Sequence, residues 1–177
     1  MSTMAATTQV YRVFIKASPQ AVWDAITDPA WTRRYGWGGR AGYELEPGGA
    51  FTMFATEAAK AAAEAYGFSL PDLLIDGEVL EVDPPALLVQ TWRRLMDPGT
   101  AEEGFTKLTY EIVETSPGVS RLTVTHELEG APKVAILVAG EQPGMGGSGW
   151  AWVLSDLKSL LESGAPMVSG DWLQNEE

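Results

Sequence analysis

Runs of β-branched and aromatic residues recur along the chain and are separated by turn-forming residues. The segment from Gly77 to Trp92 is the clearest case, because two such runs meet at Asp83-Pro84-Pro85. Neither strand could continue through that tripeptide, because proline lacks the amide that a strand ladder needs. The pattern therefore predicts a β-hairpin over residues 74–93.

Other parts of the chain show the same strand-like pattern. Further strands are predicted over residues 10–16, 41–46, 50–56, 105–115 and 119–127. In the run at residues 105–115, Leu108, Tyr110 and Ile112 alternate with polar residues, so one face of that strand is expected to be dry and the other wet. Glycine and proline lie at the turns between the paired strands, as tight hairpins require.

Helical signals lie near the start, the middle and the end of the chain. Ser18-Pro19 and Asp28-Pro29 each combine a capping residue with a proline suited to the first helical position, which predicts two short helices after the first strand. The alanine-rich run at residues 55–65 predicts a helical insertion that extends to residue 73. From Trp150 onward, apolar residues at helical spacing predict an amphipathic C-terminal helix that ends at Gly164.

The length of 177 residues suits a single core. We expect a flexible N-terminus over residues 1–9, one domain over residues 10–164, and a C-terminal tail over residues 165–177 without regular structure. The glycine- and proline-rich segment at residues 129–149 is long for a plain connection and is a candidate mouth or lid.

The chain is acidic, with 12 basic and 24 acidic side chains and a formal net charge of −12. Such a charge repels nucleic acid and anionic lipid, so neither is expected as a partner. The chain has no cysteine, no signal-like start and no apolar run of the roughly 18 residues that a membrane span requires. A cytoplasmic protein that does not insert into membranes is therefore expected.

Several sequence blocks resemble a known family. They are SPQAVWDAITDPAWTRRYGW, ELEPGGAFTMF, GEVLEVDPPALLVQTW, RLTVTHELEG and GWAWVLSDLKSLLESG. Their order is similar to that of the START-like helix-grip (SRPBCC) superfamily, in the branch of domains that resemble the activator of heat-shock protein 90 ATPase homologue. The resemblance implies an α+β fold, in which a curved antiparallel β-sheet wraps around a long C-terminal helix and leaves a cavity between them.

Residues that could contact a ligand in such a cavity are mostly aromatic. His126 shares strand parity with Leu122 and Val124, so it is expected on the apolar face, either bonded to the backbone or available for ligand contact or proton transfer. The candidate ligand-binding residues are Trp92, His126, Tyr110, Phe51, Trp37 and Tyr35.

Other chemistry has weaker support in the sequence. Glu78 and Glu81 lie three apart on a strand, so they are expected on opposite faces, which argues against a paired acid and base. With a single histidine and no cysteine, no metal site is expected. The chain also lacks a recognisable glycine-rich phosphate loop, so no nucleotide cofactor is expected.

These features favour a protein that binds a hydrophobic, aromatic or lipid-like small molecule over an enzyme. One alternative is a cyclase or hydrolase that acts on a polyketide-like or aromatic substrate, with His126 moving a proton. A second alternative, implied by the resemblance, is a regulator of a chaperone ATPase with the chaperone as partner. The insertion at residues 55–73 suits either a lid or a dimer contact, so a homodimer is one of the expected assemblies.

Overall fold

A computed structural model describes residues 7–142 and 148–167. The strands are β1 (Thr8–Ile15), β2 (Arg40–Tyr43), β3 (Ala50–Phe54), β4 (Leu73–Asp83), β5 (Leu87–Arg94), β6 (Thr106–Ser116) and β7 (Val119–Glu127). The helices are α1 (Pro19–Thr27), α2 (Pro29–Thr32), α3 (Glu57–Ala65), α4 (Pro98–Ala101), α5 (Pro132–Val138) and α6 (Gly149–Ser163).

The seven strands form one curved antiparallel sheet in the order β1-β7-β6-β5-β4-β3-β2. Successive strands from β2 to β7 are neighbours, and β1 closes onto β7 at the far edge. This arrangement confirms the α+β helix-grip architecture that the sequence resemblance implies.

Helix α6 packs on the sheet through one face. Its buried side chains include Trp150, Val153, Leu154, Leu157 and Leu160, at the spacing that places residues on one side of a helix. They join the inward residues of the central strands in a single core. The amphipathic pattern therefore accounts both for the formation of α6 and for its position against the sheet.

The short helices after β1 form through local capping. The Ser18 hydroxyl accepts a hydrogen bond from the Ala21 amide, and the Asp28 carboxylate accepts one from the Ala30 amide. Asp28 also ends α1 and begins α2, so the chain changes direction there. This change brings Tyr35 and the loop that follows it back toward α6.

The structure differs from the sequence analysis at two points. Within the glycine- and proline-rich segment at residues 129–149, Pro132–Val138 forms the helix α5, which the sequence analysis did not predict. Glu78 and Glu81 do not lie on opposite faces, because a bulge between Val79 and Glu81 inserts one residue and leaves both carboxylates exposed. Much of the C-terminal tail expected to be irregular lies outside the described residues.

The insertion after β3 contains the helix α3, which ends at Ala65, and it is attached by its charged side chains. Thr56 caps α3 by accepting a hydrogen bond from the Ala59 amide. The Lys60 ammonium bonds the carboxylates of Glu57 and Asp72. Among residues 7–142 and 148–167, no helix is long and apolar enough to cross a membrane.

Candidate functional site

An inner cavity lies between the sheet, α6 and the loop that follows α2, and its volume is about 40 Å³. Its walls are almost entirely apolar or aromatic. They are formed by Ile26, Thr32, Tyr35, Gly36, Trp37, Gly38, Gly39, Tyr43, Phe51, Met53, Trp92, Tyr110, Leu122, Trp150, Val153, Leu154 and Leu157. A buried water needs about 10–15 Å³, so this space holds a few waters and is too small for a lipid or a steroid.

Three tyrosine side chains supply polar atoms near this cavity. The Tyr35 hydroxyl donates to the Ala25 carbonyl at 2.8 Å, and the Tyr43 hydroxyl donates to Gln90 Oε1 at 2.6 Å. The Tyr110 hydroxyl forms no hydrogen bond within the described part of the chain. Burial raises the pKa of all three phenols, so the cavity is neutral at ordinary pH.

His126 lies in the core beside the inner cavity and is fully buried. Its Nδ1 accepts a hydrogen bond from the Trp150 indole at 3.1 Å. Its Nε2 lies 2.7 Å from Thr106 Oγ1, whose own hydroxyl donates to the Trp92 carbonyl at 2.9 Å. These bonds fix the tautomer, because Nδ1 must accept and Nε2 must therefore donate to Thr106.

The surroundings of His126 favour the neutral imidazole. Burial lowers the pKa of His126 to about 3, because the charged form would lose its hydration without gaining an acidic partner. The rings of Trp92 and Trp150 contact the imidazole edge to face, with centroids 5.1 and 6.0 Å away. His126 thus connects β7 to α6 as a fully bonded core residue.

A larger space, the outer groove, lies beyond the inner cavity and has a volume of about 700 Å³. It is bordered by the end of α3, the ends of β4 and β5, α4, α5 and the start of α6. Its described lining is Trp37, Ala63, Phe68, Ser69, Leu70, Ile75, Trp92, Arg94, Met96, Asp97, Thr100, Lys133, Ile136, Leu137, Val138, Gln142, Ser148 and Gly149. Its volume is in the range of small-molecule sites, which is about 300–1,000 Å³.

Trp37 and Trp92 line both spaces, so these two side chains separate the inner cavity from the outer groove. Their ring centroids are 6.1 Å apart, and Trp37 also contacts Trp150 at 5.5 Å. Neither the Trp37 nor the Trp92 indole N–H has a hydrogen-bond acceptor among the described residues. Both rings can therefore present an apolar face and a free donor to a bound molecule.

A buried carboxylate holds the loop that carries Trp37. Asp156, on α6, accepts a hydrogen bond from the Gly36 amide at 2.8 Å and another from the Met167 amide at 2.7 Å. The Gly38 amide bonds the Tyr35 carbonyl at 3.1 Å, which tightens the same loop. The position of Trp37 is thus coupled to α6 through Asp156.

The structure brings five of the six candidate ligand-binding residues together. Tyr35, Trp37, Phe51, Trp92 and Tyr110 all line the inner cavity, and Trp37 and Trp92 line the outer groove as well. His126 lines neither space and contacts Trp92 and Trp150 from behind. Whether any of the six contacts a ligand stays a prediction.

Sequence reasoning missed several residues that line these spaces. Phe68 is 69% exposed at the edge of the outer groove, and Ile136 and Leu137 border it from α5. For Phe68 the sequence held no usable signal, because its exposure depends on how the segment after α3 packs and cannot be read from residue type. Ile136 and Leu137 were hidden because α5 itself was not predicted.

Resident metal chemistry finds no support in residues 7–142 and 148–167. No group of three or more histidine, cysteine, aspartate or glutamate side chains is placed there so that it could hold a metal ion. The walls described above instead suit an organic molecule that is largely apolar.

A family model described as Activator of Hsp90 ATPase homolog 1-like protein matches residues 16–162 of the chain. The chain matches no curated protein. It is similar to the solution structure of the protein encoded by BPP1335 from Bordetella parapertussis, with 23% identity and a TM-score of 0.64. That similarity covers 99% of this chain and 90% of the other.

Two further solved structures share the fold. The Aha1 dimer from Colwellia psychrerythraea is 19% identical with a TM-score of 0.58, and the match covers 89% of this chain and 97% of that one. PFC0360w, an HSP90 activator from Plasmodium falciparum, is 21% identical with a TM-score of 0.50, over 68% of this chain and 72% of that one. Identities this low establish a common architecture and leave activity to be argued from the site.

Proposed function

The chain belongs to the Activator of Hsp90 ATPase homolog 1-like protein family, and we propose that it is a cytoplasmic binding protein that holds a small hydrophobic molecule in its outer groove. The ligand lies against Trp37 and Trp92, and the inner cavity behind these rings accepts at most a small substituent. The proposed ligand site is therefore the mouth of the space beneath α6, whereas the sequence suggested the space itself.

The volume difference between the two spaces is the observation that supports this proposal. The groove, at about 700 Å³, has the capacity of a small-molecule site, whereas the inner cavity, at about 40 Å³, does not. Apolar side chains such as Leu70, Met96 and Ile136 line the groove. Water released from such walls favours the entry of an apolar molecule.

Fluorescence titration with N-phenyl-1-naphthylamine, a neutral apolar dye that emits strongly when removed from water, tests the proposal. We expect saturable binding with micromolar affinity in wild type and at least tenfold weaker binding in Trp37→Ala, because the indole forms a wall of the groove. Failure of the folded wild-type protein to bind the dye would count against the groove as a ligand site.

Trp31→Ala provides the matched control. Trp31 is also partly buried, and the Arg34 guanidinium lies 5.0 Å from its ring centroid, but it lines neither space. The control should bind the dye like wild type. Equal losses in the Trp31 and Trp37 variants would indicate a general loss of packing rather than a contact with the dye.

Activation of a chaperone ATPase is a second candidate, because the family description names this activity and PFC0360w, which shares the fold, is an HSP90 activator. The test is ATP hydrolysis by a purified Hsp90-type chaperone with and without this protein. Co-sedimentation of the two proteins measures the partnership directly. Unchanged hydrolysis together with separate sedimentation would remove this candidate.

A cyclase or hydrolase that uses His126 for proton transfer has less support in the geometry. Both ring nitrogens are bonded within the protein, to Trp150 and Thr106, and the imidazole lines neither the cavity nor the groove. A substrate in the groove would meet Trp92 before it met His126. A reaction in the groove would therefore need a different proton-transfer group.

A further inference from the structure

The charges on the outer groove differ from those of the chain as a whole. The chain has twice as many acidic as basic side chains, yet the described lining of the groove has two cations, Arg94 and Lys133, and one acid, Asp97. The described groove lining thus has one more cation than acid, and the bonds among these three side chains decide which charge is left for a ligand.

Arg94 and Asp97 neutralise each other. Arg94 Nη1 bonds the Asp97 carboxylate and also Thr100 Oγ1, the latter at 2.9 Å. Asp97 in turn caps α4 by accepting a hydrogen bond from the Thr100 amide at 2.9 Å. Both side chains are therefore committed to holding α4 against the end of β5.

Lys133 has no such partner. The nearby Glu103 carboxylate is bound to backbone amides, those of Lys133 at 2.9 Å and Val134 at 2.8 Å, where it caps α5. Within the described part of the chain no carboxylate forms an ion pair with the Lys133 ammonium. The side chain is exposed at the edge of the groove, so its ammonium group is accessible to another molecule.

Gly99 leaves space for this ammonium group above α4. A Cβ atom at position 99 would lie 3.1 Å from Lys133 Nζ and 3.3 Å from Asp97 Oδ1, which is closer than side chains normally approach. The ammonium thus lies across the glycine and next to the groove. Apolar side chains such as Met96 and Leu137 continue the groove away from it.

We propose that the ligand of the outer groove is an amphipathic anion, with an apolar body against Trp37 and Trp92 and a carboxylate or sulfonate head at Lys133. This inference rests on the proposed function, because it assumes that the groove binds an apolar molecule. It adds that the molecule carries one negative charge at its end. A buried apolar body next to a single cation selects such a ligand over a neutral one of the same shape.

Two dyes with the same aromatic framework separate the charge from the apolar contact. 8-Anilinonaphthalene-1-sulfonate is the sulfonated counterpart of N-phenyl-1-naphthylamine. We expect wild type to bind the sulfonate more tightly than the neutral dye. Lys133→Met should weaken binding of the sulfonate about tenfold, as for the loss of one charge-assisted hydrogen bond, and change binding of the neutral dye less than about twofold.

Two control variants complete the experiment. Lys133→Arg retains the charge and should bind the sulfonate within about twofold of wild type. Lys107→Met removes a lysine that pairs with Glu127 at 3.7 Å, outside the groove, and should leave both dyes unaffected.

The outcomes distinguish this inference from the proposed function. If the neutral dye binds but Lys133→Met does not weaken binding of the sulfonated dye, the proposed contact between an anionic head and Lys133 is refuted. The proposal that the groove binds an apolar molecule would then still stand. Equal losses of affinity for both dyes in Lys133→Met would also refute the contact with Lys133, because removing a contact with a charged head should not weaken the binding of a dye that has no charge. If neither dye binds wild type, both the inference and the proposed function fail.

Discussion

His126 shows how burial can set the chemistry of a single side chain. Its strand parity correctly indicates an inward position, since it shares a face with Leu122 and Val124. The indole that bonds its Nδ1 belongs to Trp150, which lies 24 residues further along the chain. The sequence could not predict that contact, because it depends on where α6 packs against β7.

The titration of His126 gives a direct prediction. Because burial lowers its pKa to about 3, well below the ordinary value of 6.5, the folded protein keeps a neutral imidazole between pH 8 and pH 5. His126 is the only histidine, so its ring signals in an NMR spectrum are unambiguous. We expect them not to shift over this range, whereas a titration near pH 6.5 would contradict the buried geometry.

Linkage extends this prediction to stability. The unfolded chain binds a proton at His126 below about pH 6.5 while the folded chain does not, so this residue's contribution is complete above pH 6.5 and is lost as the pH falls toward 3. The loss should approach about 1.4 kcal/mol per pH unit. Urea unfolding of wild type and His126→Gln from pH 7 to pH 5 measures it, since the glutamine variant should lack this slope. Parallel curves would exclude the effect.

Helix α5 shows the limit of sequence reasoning at the level of one element. Pro132 at its first position was a readable signal, but no residue of the segment caps the helix through its own side chain. The capping carboxylate comes from Glu103, 30 residues before Lys133. By contrast, α1, α3 and α6 were predictable because their caps or apolar faces are local. The residues of α5 that line the groove could therefore not be predicted from the sequence.

The junction between α5 and α6 gives a prediction at the same scale. Gly149 begins α6 with φ +84°, and a Cβ atom there would lie 2.5 Å from the Gly140 nitrogen and 2.7 Å from the Val138 carbonyl oxygen. Gly149→Ala therefore combines an unfavourable backbone conformation with a collision between the added methyl group and the main-chain atoms of Val138 and Gly140. We expect it to lower the free energy of unfolding by about 3 kcal/mol in urea titrations.

Gly118→Ala isolates the conformational part of that cost. Gly118 has φ +77°, but no atom lies within 4 Å of its added Cβ position, so only the backbone preference is lost. This control should cost about 1 kcal/mol. Equal losses in the two variants would mean that α5 and α6 do not approach each other as closely as the structure places them.

At the scale of the whole molecule, the sheet order follows from hairpins that the sequence reveals, whereas the capacity of the site does not. Each predicted hairpin joins strands that are neighbours in the sheet, so most of the topology follows from local turns. The volume left between packed layers depends on side chains from many elements. A cavity of about 40 Å³ beside a groove of about 700 Å³ is the sum of those contacts.

The net charge of −12 also acts on the whole molecule, and it predicts how salt changes stability. Mutual repulsion of the acidic side chains is felt over about 30 Å at 0.01 M salt and over about 10 Å at 0.1 M. Raising sodium chloride from 10 to 200 mM should therefore increase the free energy of unfolding by roughly 1 kcal/mol. Glu114→Lys, which replaces an exposed negative side chain on β6 by a positive one, should show a smaller increase. Stability that falls with salt in wild type would mean that local ion pairs such as Arg93 with Asp76 outweigh the overall repulsion.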